Sequence, residues 1–150
     1  MNAFEVLKQD HERVADIMEK IDNTTERGVK TREELFTQLK SGLDLHAQIE
    51  EQFFYPALED ADETREITLE AYEDHNLVKQ LLKELDSDPK DEEQWTAKFT
   101  LLKENVEQHV EEEEGELFKK AKNVLSKEQI EELGNDLHEA KRQGKAASAR

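Results

Sequence analysis

The chain has 150 residues, of which 39% are charged and 35% hydrophobic, and it carries a formal net charge of −17. This length suits one domain with a sizeable core, and the charge argues against nucleic acid or an anionic membrane as a partner because like charges repel. The sequence contains no cysteine, which excludes disulfides and thiolate metal sites.

Apolar residues recur at helical spacing through most of the chain, and no alternation typical of a strand is sustained. The first predicted helix runs from about Ala3 to Ile21 and opens with a capping box of Asn2 and Glu5. A polar loop that contains glycine follows. The second helix is predicted from Thr31, which forms a second capping box with Glu34, to about Glu59.

Pro56 lies near the end of this second helix and should kink or end it, because proline lacks a backbone donor and crowds the preceding turn. The third helix is predicted from about Glu63 to Leu85. The stretch SDPKDEE then opens a fourth helix, with Asp88 as N-cap and Pro89 at the first helical position. This helix continues to about Asn123.

A shorter fifth helix is predicted to begin with Ser126 and Gln129, and its apolar face consists of Ile130, Leu133, Leu137 and Ala140. The terminal stretch KRQGKAASAR is basic and rich in small residues, which predicts disorder. Four long helices joined by short loops pack antiparallel, so we expect an all-α, up-down-up-down four-helix bundle over residues 1–125. Residues 126–150 would form the short C-terminal helix, lying across the bundle, and the disordered tail.

Each of the four long helices carries a histidine within its apolar stripe, and two helices add a glutamate one turn later. These six residues are His11, His46, Glu50, His75, His109 and Glu113. One histidine in such a stripe is more often a hydrogen-bonded core residue than a ligand. Glutamate, however, is almost never buried without a partner, and no lysine or arginine lies on these stripes. The set therefore predicts a buried site for something cationic.

The ligand types narrow the choice of cation. Six ligands exceed the four of a tetrahedral zinc site, and too few oxygens are present for calcium or magnesium. Imidazole together with carboxylate suits iron, manganese or zinc, and two ions fit the ligand count best, with Glu50 and Glu113 each able to bridge them. The ferritin-like Glu-x-x-His motif is absent, because no histidine has a glutamate three positions before it.

Two His-x-x-x-Glu motifs with lone histidines on the other helices resemble the hemerythrin-like family, also called the HHE cation-binding domain. The resemblance covers about residues 4–123 and rests on DHERV, HAQIEEQFFYPAL, EDHNLVKQLLKEL and HVEEEEGELF. It implies a di-iron centre, with zinc or manganese as substitutes. The implied terminal ligands are His11, His46, His75 and His109. Glu50 and Glu113 would bridge the irons together with a solvent-derived oxo or hydroxo group.

The chain departs from the oxygen-carrying members of that family at two places. They have a further histidine four residues before the helix-3 ligand, where this chain has Ala71. They also use an aspartate five residues after the helix-4 histidine, where Glu113 at four is the better match and Glu114 at five the alternative. With six-coordinate irons, roughly two coordination positions stay open, one more than in a five-histidine site. Reaction with peroxide, redox sensing or iron handling therefore competes with oxygen carriage.

We expect a non-haem di-iron protein that binds or senses dioxygen, peroxide or nitric oxide. The alternative is an iron storage or delivery protein whose site exchanges metal. A third hypothesis, a structural or partner-binding bundle with polar layers that set helix register, is weakened by the unpaired glutamates. No catalytic acid–base pair is evident beyond the metal site. His138 is expected on the surface, and Tyr72 is either a donor near the metals or a boundary tyrosine.

The remaining expectations concern location and assembly. No apolar run approaches the roughly 20 residues of a membrane span. The N-terminal stretch MNAFEVLKQDHE has acids where a signal peptide needs an apolar segment. We therefore expect a cytoplasmic protein without a membrane or nucleic-acid partner, present as a monomer or weak homo-oligomer.

Overall fold

The computed structural model describes residues 1–148, and these are almost entirely helical, with no β-strand among them. The α-helices are α1 (Ala3–Asp22), α2 (Val29–Ile49), α3 (Arg65–Ser87), α4 (Glu93–Glu112), α5 (Phe118–Val124) and α6 (Lys127–Ser148). Two π-helical turns cover Glu50–Phe54 and Glu113–Leu117, and Tyr55–Ala57 forms a 3₁₀ turn. Within the described range, no helix combines the length and apolar character needed to cross a membrane.

The helices form the predicted all-α, up-down-up-down bundle. The π turn at Glu113–Leu117 joins α4 to α5 without a break, so these two helices form one rod and serve as the fourth helix of the bundle. α1 packs on α2, and α3 packs on α4. Antiparallel packing follows from the short connections between successive long helices.

Two of the predicted helix starts are confirmed by their caps. At α1, Asn2 Oδ1 accepts from the Glu5 backbone N–H at 3.0 Å, and Glu5 Oε1 accepts from the Asn2 N–H at 3.2 Å. At α6, Ser126 and Gln129 exchange the same pair of bonds, at 2.8 and 3.1 Å. Each box satisfies two backbone donors that the first helical turn leaves without partners.

The other two predicted caps, at Thr31 and at Asp88, are wrong. α2 begins at Val29 rather than Thr31, because the Arg32 N–H already bonds to the carbonyl of Gly28 at 2.9 Å. Asp88 ends α3 instead of opening α4: its N–H donates to the Glu84 carbonyl at 2.9 Å, and its backbone is extended. A residue before proline favours that extended conformation.

The second bundle helix also departs from the prediction at its C-terminal end. The α-helix stops at Ile49, and the chain continues through the π turn into the 3₁₀ turn that contains Pro56. A π turn widens the helix by one residue, which shifts the buried stripe by one position. Residues Phe54, Tyr55 and Leu58 are therefore buried, where the uniform helical period placed Phe53 and Ala57.

A layer of polar side chains divides the interior into two apolar clusters. One cluster, toward the start of α1, contains Phe4, Leu7, Phe54, Phe118 and Leu137, among others. The second, beyond the layer, contains Met18, Phe36, Leu82, Trp95 and Phe99, among others. The buried polar residues between the clusters include the histidines and glutamates that the sequence singled out.

The C-terminal helix is longer than predicted and lies differently. α6 continues through residues 141–148, which were predicted to be disordered, whereas residues 149 and 150 of that predicted tail lie outside the described range. It follows α1 in the same direction rather than crossing the bundle, since Gly134 lies against Met1 and Lys141 pairs with Asp10. A Cβ at Gly134 would overlap the Met1 carbonyl, so glycine permits this close packing.

Arg32 is 2% exposed and donates hydrogen bonds to residues of two loops. It has no carboxylate partner among the described residues. It donates to the hydroxyl and carbonyl of Thr24 at 2.9 and 3.3 Å, and to the Lys90 carbonyl at 3.0 Å. It also donates to the Thr96 hydroxyl at 3.1 Å, and its guanidinium lies 4.8 Å from the centre of the Trp95 ring. These contacts join the loop after α1 to the start of α4.

Replacing Arg32 by methionine should lower the free energy of unfolding by about 2–3 kcal/mol, because buried carbonyl acceptors lose their donor. Urea denaturation followed by circular dichroism measures this change. The matched control is Arg27→Met in the exposed loop, which should stay within about 0.5 kcal/mol of the parent protein. Equal stability of the two variants would contradict a structural role for Arg32.

Candidate metal centre

The six residues that the sequence singled out lie together in the polar layer, and none is more than 9% exposed. Their nitrogen and oxygen atoms form two groups, each lying within 4.8 Å of one another. The first group is His11, His46, Glu50 and Glu113, and the second is Glu50, His75 and His109. Because Glu50 belongs to both, the groups adjoin.

The two buried glutamates face the histidines in different ways. Glu113 directs one oxygen to each side, with Oε1 3.2 Å from His11 Nε2 and Oε2 3.2 Å from His109 Nε2. Glu50 Oε1 lies 3.0 Å from His46 Nε2 and 3.1 Å from His75 Nε2. All four imidazoles therefore direct Nε2 toward the glutamate pair, two from each side.

The π turns set the direction of these glutamates. Glu50 and Glu113 are each the first residue of a π turn, and each carbonyl accepts from the N–H five residues later, at Tyr55 and Phe118 respectively. This wider turn places residue i+5 over residue i. Tyr55 is thereby brought onto the same inward face as Glu50, which an uninterrupted α-helix would not allow.

Each histidine is oriented by a second carboxylate on its outer nitrogen. The Nδ1 to carboxylate distances are 2.6 Å for His11 with Glu114, 2.9 Å for His46 with Asp10, 2.9 Å for His75 with Glu51 and 3.0 Å for His109 with Asp74. An imidazole that donates from Nδ1 presents Nε2 as its free nitrogen. Such carboxylate–histidine pairs commonly orient metal-ligating histidines.

Three of these outer acids were not predicted from the sequence, and the fourth, Glu114, was predicted only as an alternative ligand. A signal was present, because each acid is the immediate neighbour of one of the six inner residues: Asp10 of His11, Asp74 of His75, Glu51 of Glu50 and Glu114 of Glu113. Each acid, however, contacts the histidine of another helix. Sequence adjacency therefore could not pair them.

Tyr55 lies at the centre of the layer and was also missed. Its hydroxyl lies 2.7 Å from Glu113 Oε2 and 3.2 Å from Glu50 Oε1, within hydrogen-bonding distance of both carboxylates. The same oxygen is 3.1 Å from His75 Nε2 and 3.3 Å from His109 Nε2. The tyrosine considered from the sequence, Tyr72, instead donates to Glu59 at 3.1 Å.

The pKa values of His109 and His46 depend on the charged groups beside them. Burial alone would lower the pKa of His109, but hydrogen bonds with Asp74 and Glu113 raise it to about 10. Burial likewise opposes the charged form of His46, yet the charge of Glu50 and the hydrogen bond to Asp10 raise its pKa well above the ordinary value. Because a metal binds neutral imidazole, metal binding here would release protons.

The acidic groups and the phenol complete this picture. Burial would raise the pKa of Glu113, but the adjacent Glu50, His109 and His11 side chains hold it well below its ordinary range. Burial and the charges of Glu113 and Glu50 raise the pKa of Tyr55 well above its usual value. The phenol therefore keeps its proton while the carboxylate beside it is ionised.

Four buried atoms at the centre make no hydrogen bond with any described residue: His11 Nε2, His46 Nε2, Glu50 Oε2 and Glu113 Oε1. Buried polar atoms nearly always have partners, so atoms without one require an explanation. Imidazole nitrogen and carboxylate oxygen are donors that suit iron, manganese and zinc. The residues present therefore fit a metal site.

A cavity of about 30 Å³ adjoins the layer on the side of the second apolar cluster. All four histidines border it, together with Asp44, Lys79 and the apolar side chains of Val14, Leu43, Ala47, Val78, Leu82, Val106 and Val110. A single water needs roughly 10–15 Å³ measured in this way. The space therefore suits a molecule of two or three atoms.

Two further sequence predictions concern the neighbouring residues. His138 is exposed on α6, as expected, and takes no part in the layer. In the acidic run, Glu111 and Glu112 are exposed while Glu113 is buried, which matches the expectation of one inward glutamate. Glu114 is half-buried because it contacts His11.

Comparison with known proteins gives the family of the chain. The family model described as Hemerythrin HHE cation binding domain matches residues 2–121. Rv2633c, an uncharacterized protein of Mycobacterium tuberculosis, is 32% identical over 145 residues, covering 91% of this chain and 83% of that protein. A crystal structure of an HHE domain-containing Rv2633c homologue from Mycobacterium kansasii aligns with a TM-score of 0.88 and 27% identity, covering 99% of this chain and 90% of that one.

A longer relative matches as well. A DNA nickase of Nostoc sp. is 27% identical over 141 residues, and the match covers 94% of this chain but 39% of the nickase. The chain thus spans about two-fifths of that protein's length. The match therefore relates only one part of the nickase to the bundle described above.

The position of Tyr55 leads to a stability prediction for protein freed of metal with a chelator. Tyr55→Phe should lower the free energy of unfolding by about 1–3 kcal/mol, because the buried Glu113 carboxylate loses its 2.7 Å donor. The control is Tyr72→Phe, which removes a half-exposed bond to Glu59 and should cost less than about 1 kcal/mol. Urea titration measures both, and equal costs would contradict the central role of Tyr55.

Proposed function

This chain belongs to the hemerythrin HHE cation-binding family, and on that premise we propose that its polar layer binds two iron ions and, through them, dioxygen or a related small molecule such as peroxide or nitric oxide. One ion would be held by His11 and His46, and the other by His75 and His109. Glu50 and Glu113 would contribute to both. The observation that carries the proposal is the convergence of four Nε2 atoms on two buried glutamates, two from each side.

Two ions fit this donor set better than one. Glu113 directs its two oxygens to opposite sides, toward His11 and toward His109, as a bridging carboxylate would. Glu50 lies in both groups of clustered donors, and its Oε2 has no hydrogen-bond partner among the described residues. A single ion held by His11 and His46 would leave Nε2 of His75 and of His109 to Tyr55 and the glutamates alone.

The identity of the metal is inferred from donor chemistry. Imidazole nitrogens and carboxylate oxygens suit iron, manganese or zinc. Tyr55 adds a phenol oxygen on the side of His75 and His109, which makes the two sides unequal. When bound, a pair of irons would supply reversible binding of, and electron exchange with, a small ligand. Zinc would not supply the electron exchange, because it has no redox chemistry.

The chain's own residues would restrict what reaches the irons. The cavity of about 30 Å³ bordered by the four histidines excludes large substrates. Apolar side chains such as Val78 and Val106 make up much of its wall and disfavour entry of extra water, although Asp44 and Lys79 also border it. The outer carboxylates keep each imidazole oriented with Nε2 inward. Tyr55 keeps its proton between the two glutamates, with its hydroxyl within hydrogen-bonding distance of both carboxylates.

Iron storage or delivery is the competing function, and burial weighs against it. Glu50 is 0% exposed and Glu113 is 2% exposed, so release of an ion would require the helices to separate. A site used for exchange would present its ligands to chelating partners in solvent. Retention of iron through dialysis against a weak chelator is the behaviour expected of the buried layer.

Iron content tests the proposal. Protein reconstituted with ferrous iron and desalted should contain about two irons per chain, the number that fits this ligand set. His46→Ala should lower the content to one or none, because it removes a donor from the first group. His138→Ala, on the exposed face of α6, is the matched control and should retain both. The proposal would be wrong if wild-type protein bound no iron or if the two variants bound equal amounts.

The outer carboxylates lead to a second prediction, a partial loss of iron affinity. Asp74→Ala should weaken iron binding by about 10–100-fold, because His109 loses the partner that orients it. Glu73→Ala removes the same charge from the adjacent, exposed position and should leave affinity nearly unchanged. Competition with a chelator of known affinity gives both values. A similar loss in the two variants would show that general negative charge, not the bond to His109, sets the affinity.

A further inference from the structure

A second cavity lies between α1, α2 and α6, on the outer side of His46. Its volume is about 390 Å³, and we call it the α6 cavity. Basic side chains on its wall are Arg13, Lys141 and Lys145, and apolar ones are Val14, Ile17 and Leu45. Nothing proposed above for the metal layer requires this space.

The charge of the α6 cavity is opposite to that of the molecule. The whole chain has 38 acidic and 21 basic residues, whereas the cavity wall has three basic residues and one acid, Asp10. Three positive charges meeting in one place on an acidic protein repel one another, and that repulsion is relieved by an anion.

Asp10 does not account for all three positive charges. Its Oδ1 pairs with Lys141, which is only 7% exposed, and its Oδ2 lies 2.9 Å from His46 Nδ1. The Arg13 guanidinium is 3.6 Å from the same Oδ1, beyond hydrogen-bond length. Lys145 has no carboxylate within ion-pair distance in residues 1–148. Two cations of the wall therefore keep hydrogen-bonding capacity for a ligand.

The pKa of Lys145 reflects this excess of positive charge. Burial and the nearby charges of Arg13 and Lys141 lower the pKa of its ammonium group, although Asp10 acts in the opposite direction. Across the cavity, Gln38 and Ser41 of α2 provide an amide and a hydroxyl that can donate to an oxyanion.

The remaining wall of the cavity indicates a ligand with an apolar part, not a bare ion. Val14, Ile17 and Leu45 form an apolar surface beside the cations. Leu45 also packs against Gly144, so α6 closes over this part of the cavity. The volume lies at the lower end of the roughly 300–1,000 Å³ of small-molecule sites. A compact molecule with an anionic head and an apolar body matches both kinds of wall.

We propose that the α6 cavity binds a small organic carboxylate, with its head at Arg13, Lys141 and Lys145 and its apolar body against Val14, Ile17 and Leu45. This site is separate from the iron proposal and does not depend on it. It adjoins the metal layer through one chain of contacts, from Lys141 to Asp10 to His46. A carboxylate at Lys141 would therefore lie beside the group that orients His46.

The test is isothermal titration calorimetry of the full chain at low ionic strength, with sodium octanoate and sodium phosphate as separate probes. Octanoate should bind, and phosphate should bind more weakly because it has no apolar body. The double variant Arg13→Gln/Lys145→Gln removes two exposed cations of the wall and should weaken octanoate binding by about tenfold or more.

The matched control is Arg65→Gln/Lys127→Gln, which removes the same two charges at exposed positions outside the α6 cavity. It should bind octanoate as the parent does, and circular dichroism should show the same helix content for all three proteins. Absence of octanoate binding, or equal weakening in both double variants, would overturn the proposal. Phosphate binding as tight as octanoate binding would also overturn it, because the apolar wall would then contribute nothing.

Discussion

The rest of the structure depends on one constraint, the burial of two carboxylates among four imidazoles in the middle of a helical bundle. Ionised groups in such a place are costly unless they are paired and hydrogen-bonded. Here no lysine or arginine lies among the six inner residues, so imidazole and phenol are the only partners that the layer offers. The division of the apolar core into two clusters and the paired π turns both follow from making room for this layer.

The outer acids turn the layer into a closed ring around the bundle. An acid on α1 contacts the histidine of α2, one beside the end of α2 contacts that of α3, one on α3 contacts that of α4, and one after α4 contacts that of α1. These pairs are Asp10–His46, Glu51–His75, Asp74–His109 and Glu114–His11. Each helix therefore fixes the imidazole of the next, and a displacement of any one helix disturbs a neighbour's Nε2. Such mutual support is what a site with several ligands needs for a fixed geometry.

The sequence could predict the helices and the inner residues because both depend on periodicity. A histidine such as His75 within an apolar stripe is visible without knowledge of its neighbours. Tyr55 was missed for a specific reason: the π turn shifts the stripe by one residue, and a uniform period pointed to Phe53 and Ala57 instead. The helical C-terminus was missed because composition alone cannot show that Lys141 is buried against Asp10. In each case a contact between distant segments overrode the local signal.

The most direct test of the central claim is an anomalous difference map, measured at the iron absorption edge from crystals of iron-loaded protein. The di-iron proposal predicts two peaks roughly 3.5–4 Å apart, as in two-metal sites generally. One peak would lie beside His11 and His46, and the other beside His75 and His109. A single peak, or peaks only on the acidic surface, would contradict the assignment of a paired iron site to this layer.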